Sequence, residues 1–152
     1  MKLNLIAPSG ALPDVSILDK GYTWFQEQGI EVCNLSCGHR QFQRFAGTDS
    51  ERLDEINRIS KLPSDSVVMS LRGGYGLSRL LKDIQWDAIA SQVNKGLKII
   101  GHSDFTSFGL ALYAKTGASS FAGPMFSYDF CGDISAFTWK HYQQAIQDNK
   151  LD

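Results

Sequence analysis

Leu97-Lys98-Ile99-Ile100-Gly101-His102-Ser103-Asp104 decides how the chain is read. Leu97 to Ile100 has the length and apolar content of a buried strand. From Asp104 to Lys115 the residues Phe105, Phe108, Gly109 and Leu112 mark the buried face of a helix. A strand that turns sharply into a helix displays its turn residue at the carboxyl end of the strand, the edge where open α/β sheets bind ligands. Ser103 stands in that turn and is a candidate nucleophile.

Working outward, the same alternation recurs. Lys2 to Ala7 reads as a first strand ending in the turn Pro8-Ser9-Gly10, where backbone N–H groups often point into a cleft. Asp14 then caps a helix to about Gln28, with Val15, Leu18, Tyr22 and Phe25 inward and Gly29 as its stop. Ile30 to Leu35 reads as strand two, and Ser36 to Thr48 as a loop. Asp49 or Ser50 caps a helix over Glu51 to Leu62 with Leu53, Ile56 and Ile59 as its apolar stripe. Ser66 to Leu71 is strand three, followed by Arg72-Gly73-Gly74-Tyr75-Gly76 and a helix opening at Leu77, Leu80 and Leu81. Asp87 to Asn94 is a short helix, Ala118 to Ala122 a fifth strand before Gly123-Pro124, and Asp133 to Gln147 the last helix. Asn149 to Asp152 trail off with no closing strand. Strands alternating with helices predict an α/β fold, a doubly wound and mostly parallel sheet of the flavodoxin-like or class I glutamine-amidotransferase-like kind.

Composition narrows the function classes. A chain of 152 residues is read as one domain, and 43% apolar with 20% charged residues is an ordinary globular balance. Fifteen basic against sixteen acidic residues leave a net charge of −1, so no global field favours nucleic acid or anionic lipid. The opening apolar run breaks at Pro8 and no window has the length to span a bilayer, so neither a signal peptide nor a membrane anchor is expected. Cys33, Cys37 and Cys131 are odd in number and form no closed disulfide framework, which favours a reducing compartment, the cytoplasm by default.

The chemistry concentrates at the strand ends. A serine that attacks an amide needs exposure, a base and donors for the oxyanion. The N–H of Asp104, at a helix N-terminus, suits the last role, and the Gly73-Gly74 pair can bring a second backbone N–H close to the same point because neither residue has a side chain in the way. Phe105 stands where the hydrolase G-x-S-x-G turn has its second glycine, so that motif is incomplete. Ser103 equally fits a helix N-cap and the glycine run an ordinary turn. His102, adjacent to Ser103 in extended backbone, points away from it and reads as a packing or locally hydrogen-bonded residue. His39 and His141 read as surface residues. Cys33, Cys37 and His39 lack a fourth ligand, so no metal is expected, and neither glycine-rich nucleotide motif is present.

These residues resemble the LD-carboxypeptidase family of serine peptidases, which includes muramoyltetrapeptide carboxypeptidases and microcin C immunity peptidases. The resemblance runs through Ile6-Ala7-Pro8-Ser9, Arg72-Gly73-Gly74-Tyr75-Gly76 with Arg79-Leu80-Leu81, Gly101-His102-Ser103-Asp104 and Gly123-Pro124-Met125. It implies a metal- and cofactor-independent enzyme that removes the terminal D-alanine from cytoplasmic murein tetrapeptide. It makes Ser103 the nucleophile in place of an N-cap, and the Asp104 and Gly74 N–H groups the oxyanion hole. It also implies a Ser-His-Glu triad completed by a second, C-terminal domain absent here, residues 1–152 being the N-terminal domain. Homodimerisation of the full enzyme is left open. The chain departs from many members at Ala122, often histidine, and at His102, often Tyr or Phe. Arg72, with Gly73, is a substrate-binding candidate, either pairing with a substrate carboxylate or holding the turn through a structural ion pair. Two further readings stand beside this one: a flavodoxin-like module that binds a small ligand or peptide without hydrolysis, and a flavin or nucleotide phosphate held by Pro8-Ser9-Gly10 and Gly73-Gly74.

Overall fold

The computed structural model describes residues 1–148. Five strands, β1 (Lys2–Ile6), β2 (Glu31–Cys33), β3 (Val67–Ser70), β4 (Lys98–Gly101) and β5 (Phe121–Ala122), form one sheet in the order β2-β1-β3-β4-β5. All neighbouring pairs are parallel. This is the predicted doubly wound, flavodoxin-like order, whose direction reverses between β1 and β3 and opens a crevice at their carboxyl ends. Ile6 pairs with Ser70, Met69 with Ile100 and Gly101 with Ala122, so the loops after β1, β3, β4 and β5 leave the sheet along one edge.

Among the described residues six α-helices cover the sheet: α1 (Leu18–Glu27), α2 (Asp49–Asn57), α3 (Trp86–Asn94), α4 (Thr106–Thr116), α5 (Phe126–Asp129) and α6 (Ala136–Asp148). Alternating strand residues divide the core. Leu3, Leu5, Met69 and Ile100 pack with Phe25, Phe126, Phe130 and Tyr142 of α1, α5, α6 and the loop after α5. Ile6, Val68 and Ile99 pack with Ile56, Ile89, Phe108 and Leu112 of α2, α3 and α4. β3 is buried at every position, as a central parallel strand covered on both faces must be.

Several element boundaries differ from expectation. Asp14 caps a 3-10 turn, Val15–Ile17, by accepting from the Ser16 N–H, and α1 starts only at Leu18, leaving Val15 exposed. Strand two shrinks to Glu31–Cys33 because Asn34 enters a left-handed conformation and starts a 3-10 turn over Leu35–His39. α2 is capped by Thr48, one residue before the expected caps: its side chain accepts from the Glu51 N–H at 3.2 Å while the Glu51 carboxylate accepts from the Thr48 N–H at 2.7 Å. The helix gives way to a 3-10 turn at Arg58–Lys61, and the helix expected at Leu77 is two 3-10 turns, Leu77–Arg79 and Leu81–Asp83. β5 is two residues long, and the last helix begins at Ala136 after the short α5. Asn149 to Asp152 lie outside the described residues.

Candidate functional site

β4 ends at Gly101, where a side chain has no room: a Cβ would fall 2.4 Å from Ser70 Oγ and 2.6 Å from the Phe105 ring. The backbone then passes through extended His102 into Ser103 at φ +60°, the left-handed region that costs an L-residue roughly 1–2 kcal/mol. Ser103–Phe105 forms a 3-10 turn that runs into α4. Ser103 is exposed, and its side chain accepts no helix N–H, so it is not an N-cap. The strained strand-to-helix turn that the sequence suggested is present without the second glycine of the common motif.

The glycine-rich loop after β3 closes on this serine. A Cβ on Gly73 would stand 2.6 Å from Ser103 Oγ and 2.7 Å from its Cβ, so only glycine lets the two backbones approach so closely. Gly74 follows at φ +107°, exposed, and among the described residues its N–H donates no hydrogen bond. The Asp104 N–H sits in the first helical turn, which offers no intrahelical acceptor. Ser103, Asp104, Gly73 and Gly74 are therefore brought together at one point of the sheet edge.

Arg72 is half-buried. Its Nη1 lies against Gly10 and Gly74, 2.1 Å and 3.2 Å from where their Cβ atoms would be. Among the described residues no carboxylate pairs with it. The Gly10 N–H is not directed into the cleft as expected; it donates to the Gly73 carbonyl at 3.0 Å, so it is unavailable to a phosphate.

Sequence reasoning missed two charged residues beneath the loops. Arg52 of α2 is fully buried and donates to the carbonyls of Pro8 (2.6 Å) and Gly76 (3.1 Å) and to Asp49 Oδ1 (2.6 Å), with its guanidinium over the Phe45 ring. Asp49 also accepts from Arg79, and that pair, ahead of Arg52, holds its carboxyl below the usual carboxylate range. Glu55, also buried, accepts from the Ala7 N–H (2.6 Å), Asn34 (2.7 Å) and Arg40 (2.8 Å), fixing the end of β1. The signal was present: Arg52, Glu55, Ile56 and Ile59 recur at helical spacing as the buried face, where Leu53 had been placed.

No side chain among the described residues hydrogen-bonds Ser103 Oγ, so no base stands beside it. His102 Nε2 faces Asp129 Oδ2 at 3.4 Å, and the same carboxylate oxygen accepts from the Met125 N–H at 2.8 Å. Asp129 had no sequence signal. A cleft of about 370 Å³ adjoins this pair, walled by Ile100, Phe121, Pro124, Phe137 and Tyr142, and His141 lines it with its Nδ1 2.8 Å from the Phe137 carbonyl. His39 is exposed.

A parallel sheet of this order, with an exposed serine in the left-handed region after β4 packed against Gly73, defines the class as an α/β domain. The chain belongs to the LD-carboxypeptidase family: the family model described as the LD-carboxypeptidase N-terminal domain matches residues 3–123. It is 30% identical over 151 residues to a probable murein peptide carboxypeptidase of Bacillus subtilis, covering 98% of this chain and 46% of that protein. It is 35% identical over 106 residues to the microcin C7 self-immunity protein of Escherichia coli, covering 69% and 30%. The crystal structure of muramoyltetrapeptide carboxypeptidase from Oxalobacter formigenes superposes with a TM-score of 0.82 at 38% identity, covering 97% of this chain and 48% of that one. The chain spans less than half the length of these relatives. No helix among the described residues is long and apolar enough to cross a membrane.

Proposed function

We propose that this chain is the nucleophile-bearing N-terminal half of a serine LD-carboxypeptidase that releases the terminal D-alanine from murein tetrapeptide during cytoplasmic peptidoglycan recycling. The observation that carries the reading is Ser103, exposed at φ +60° with Gly73 too close to its Oγ for any side chain. Ser103 Oγ attacks the terminal amide carbonyl and gives its proton to a base from a C-terminal domain. The carbonyl oxygen, now negative, is held by the N–H groups of Gly74 and Asp104, donors worth several kcal/mol in such a site. Collapse of the adduct expels D-alanine, whose nitrogen takes the proton, and water then cleaves the acyl-serine ester. Arg72, a guanidinium beside Gly74 that pairs with no carboxylate among the described residues, suits the terminal carboxylate of the peptide.

Joining this chain to the C-terminal region of the Oxalobacter relative and assaying D-alanine release tests the assignment. Release is expected from the joined protein, not from this chain alone, and not from the joined Ser103→Ala variant; release that survives Ser103→Ala refutes it. Since no side chain among the described residues hydrogen-bonds Ser103 Oγ, one other reading is tested alongside, a module that binds a peptide without cutting it. That reading requires Ser103→Ala to leave peptide affinity intact and the joined protein to show no turnover.

A further inference from the structure

The two loops that bear the Gly74 and Asp104 N–H groups come from different strands, and an oxyanion hole built from both needs their spacing fixed. Gly73 has no side chain to interlock with the serine turn, and both Gly74 and Gly76 adopt positive φ. Glycine gives close approach at the expense of stiffness. Something else must hold the loop in register.

We propose that the side chain of Asp104 is a positioning residue that ties the glycine-rich loop to the nucleophile turn. Asp104 Oδ2 accepts a hydrogen bond from the Leu77 N–H at 3.1 Å. Leu77 is fully buried and opens the 3-10 turn directly after Gly76, so this bond closes the loop from its far side. One residue thus contributes twice: its N–H lies at the reacting edge, and its carboxylate sets the distance to the other N–H. The Asp104 carbonyl is engaged as well, accepting from Ser107 Oγ at 2.6 Å, which steadies the turn in α4.

The surrounding charges support the arrangement. Arg52 donates to the Gly76 carbonyl, so the peptide linking Gly76 and Leu77 is gripped at its oxygen by Arg52 and at its nitrogen by Asp104. Asp104 also lies close enough for its charge to favour the protonated Arg52 guanidinium against the effect of burial. The negative charge of Asp104 would oppose an oxyanion nearby; engagement with Leu77 and the pull of Arg52 draw it toward the loop.

The inference rests on Ser103 being the reacting group, and its test separates the two claims. Amide hydrogen exchange of this chain is measured by NMR for wild type, Asp104→Ala and Asp104→Asn. In parallel, phosphonylation of Ser103 by a fluorophosphonate, which releases fluoride, is followed by mass spectrometry in the protein joined to the C-terminal region of the Oxalobacter relative, where a base is supplied. Losing one hydrogen bond to a charged group speeds local opening by roughly 10- to 150-fold, so Asp104→Ala should speed exchange at Leu77 by that factor and shift the Gly73 and Gly74 amide signals. Val68 and Ile99 in the sheet should stay protected. Asp104→Asn, which keeps an acceptor oxygen, should recover most of the lost protection, and phosphonylation rates should follow the same order. Exchange at Leu77 unaltered in Asp104→Ala, equal loss in Asp104→Asn, or equal loss throughout the sheet overturns the positioning role. Failure of the wild-type joined protein to be phosphonylated counts against Ser103 as the nucleophile, while the exchange data still decide the role of Asp104.

Discussion

Gly73 is the position with the least room to change. A methyl group there would sit 2.6 Å from Ser103 Oγ, and because Ser103 Cβ is equally near, rotating the serine side chain does not relieve the clash. Gly73→Ala is therefore expected to displace the turn, at about 1–3 kcal/mol as for other overpacked sites, and to abolish phosphonylation of Ser103. A melting curve and a mass spectrum check both effects; a labelled, fully stable variant would show that the loop and the turn are not in contact. The glycines and the serine were legible because their chemistry is local: a small residue, a turn and a helix start in sequence. Arg52 and Glu55 were not, because a charged residue in a helix is ordinarily solvated. Only the loop carbonyls and the Ala7 N–H, from segments distant in the chain, make their burial favourable.

At the scale of the element, α2 is the strut under the site. Its first residue, Asp49, bridges Arg79 and Arg52. Hydrogen bonds from Arg79, then Arg52, hold its carboxyl below the ordinary value of 3.8. A group whose folded value is depressed stabilises the fold above its unfolded value, and that contribution disappears as pH falls through the folded value. The stability difference between wild type and Asp49→Asn should therefore be full at pH 7, begin to shrink as pH approaches 3.8, and vanish only below the lowered folded value. Urea titrations across that range measure it. Asp49 is 45% exposed, so added salt should narrow the gap as well, and a gap independent of pH would refute the account. The cap of α2 was readable as Thr48-x-x-Glu51, a capping box that outcompetes Asp49 and Ser50 for the N-cap position. The 3-10 turns after Gly76 were not readable, since the residue types of Leu77, Leu80 and Leu81 suit either helix type; the first of these turns packs against α4.

For the whole molecule, the sheet order followed from the alternation of strands and helices, because a parallel sheet covered on both faces is what such a chain can bury. The cleft beside β5 was not foreseeable, since it arises where α6 returns over the edge of β4 and β5. The three thiols report how firmly this assembly is closed. Burial pushes the Cys131 thiol up to about 11 and Cys37 higher still, while half-buried Cys33 is raised by burial and by Glu31. Iodoacetamide at pH 8 should modify Cys33 first and slowly, and Cys37 and Cys131 only at the rate of global opening or in denaturant. Rapid native labelling of Cys37 would contradict the core described. The left-handed backbone at Ser103 has its own consequence for the energetics of the fold. Glycine accepts φ +60° without penalty, so Ser103→Gly should be more stable to unfolding than Ser103→Ala by up to about 1 kcal/mol once the greater freedom of unfolded glycine is subtracted, as a higher melting temperature would show, while both remain unreactive. A sequence chosen for durability alone would relax at this position, and the hydroxyl is kept there under tension that the remainder of the domain must absorb.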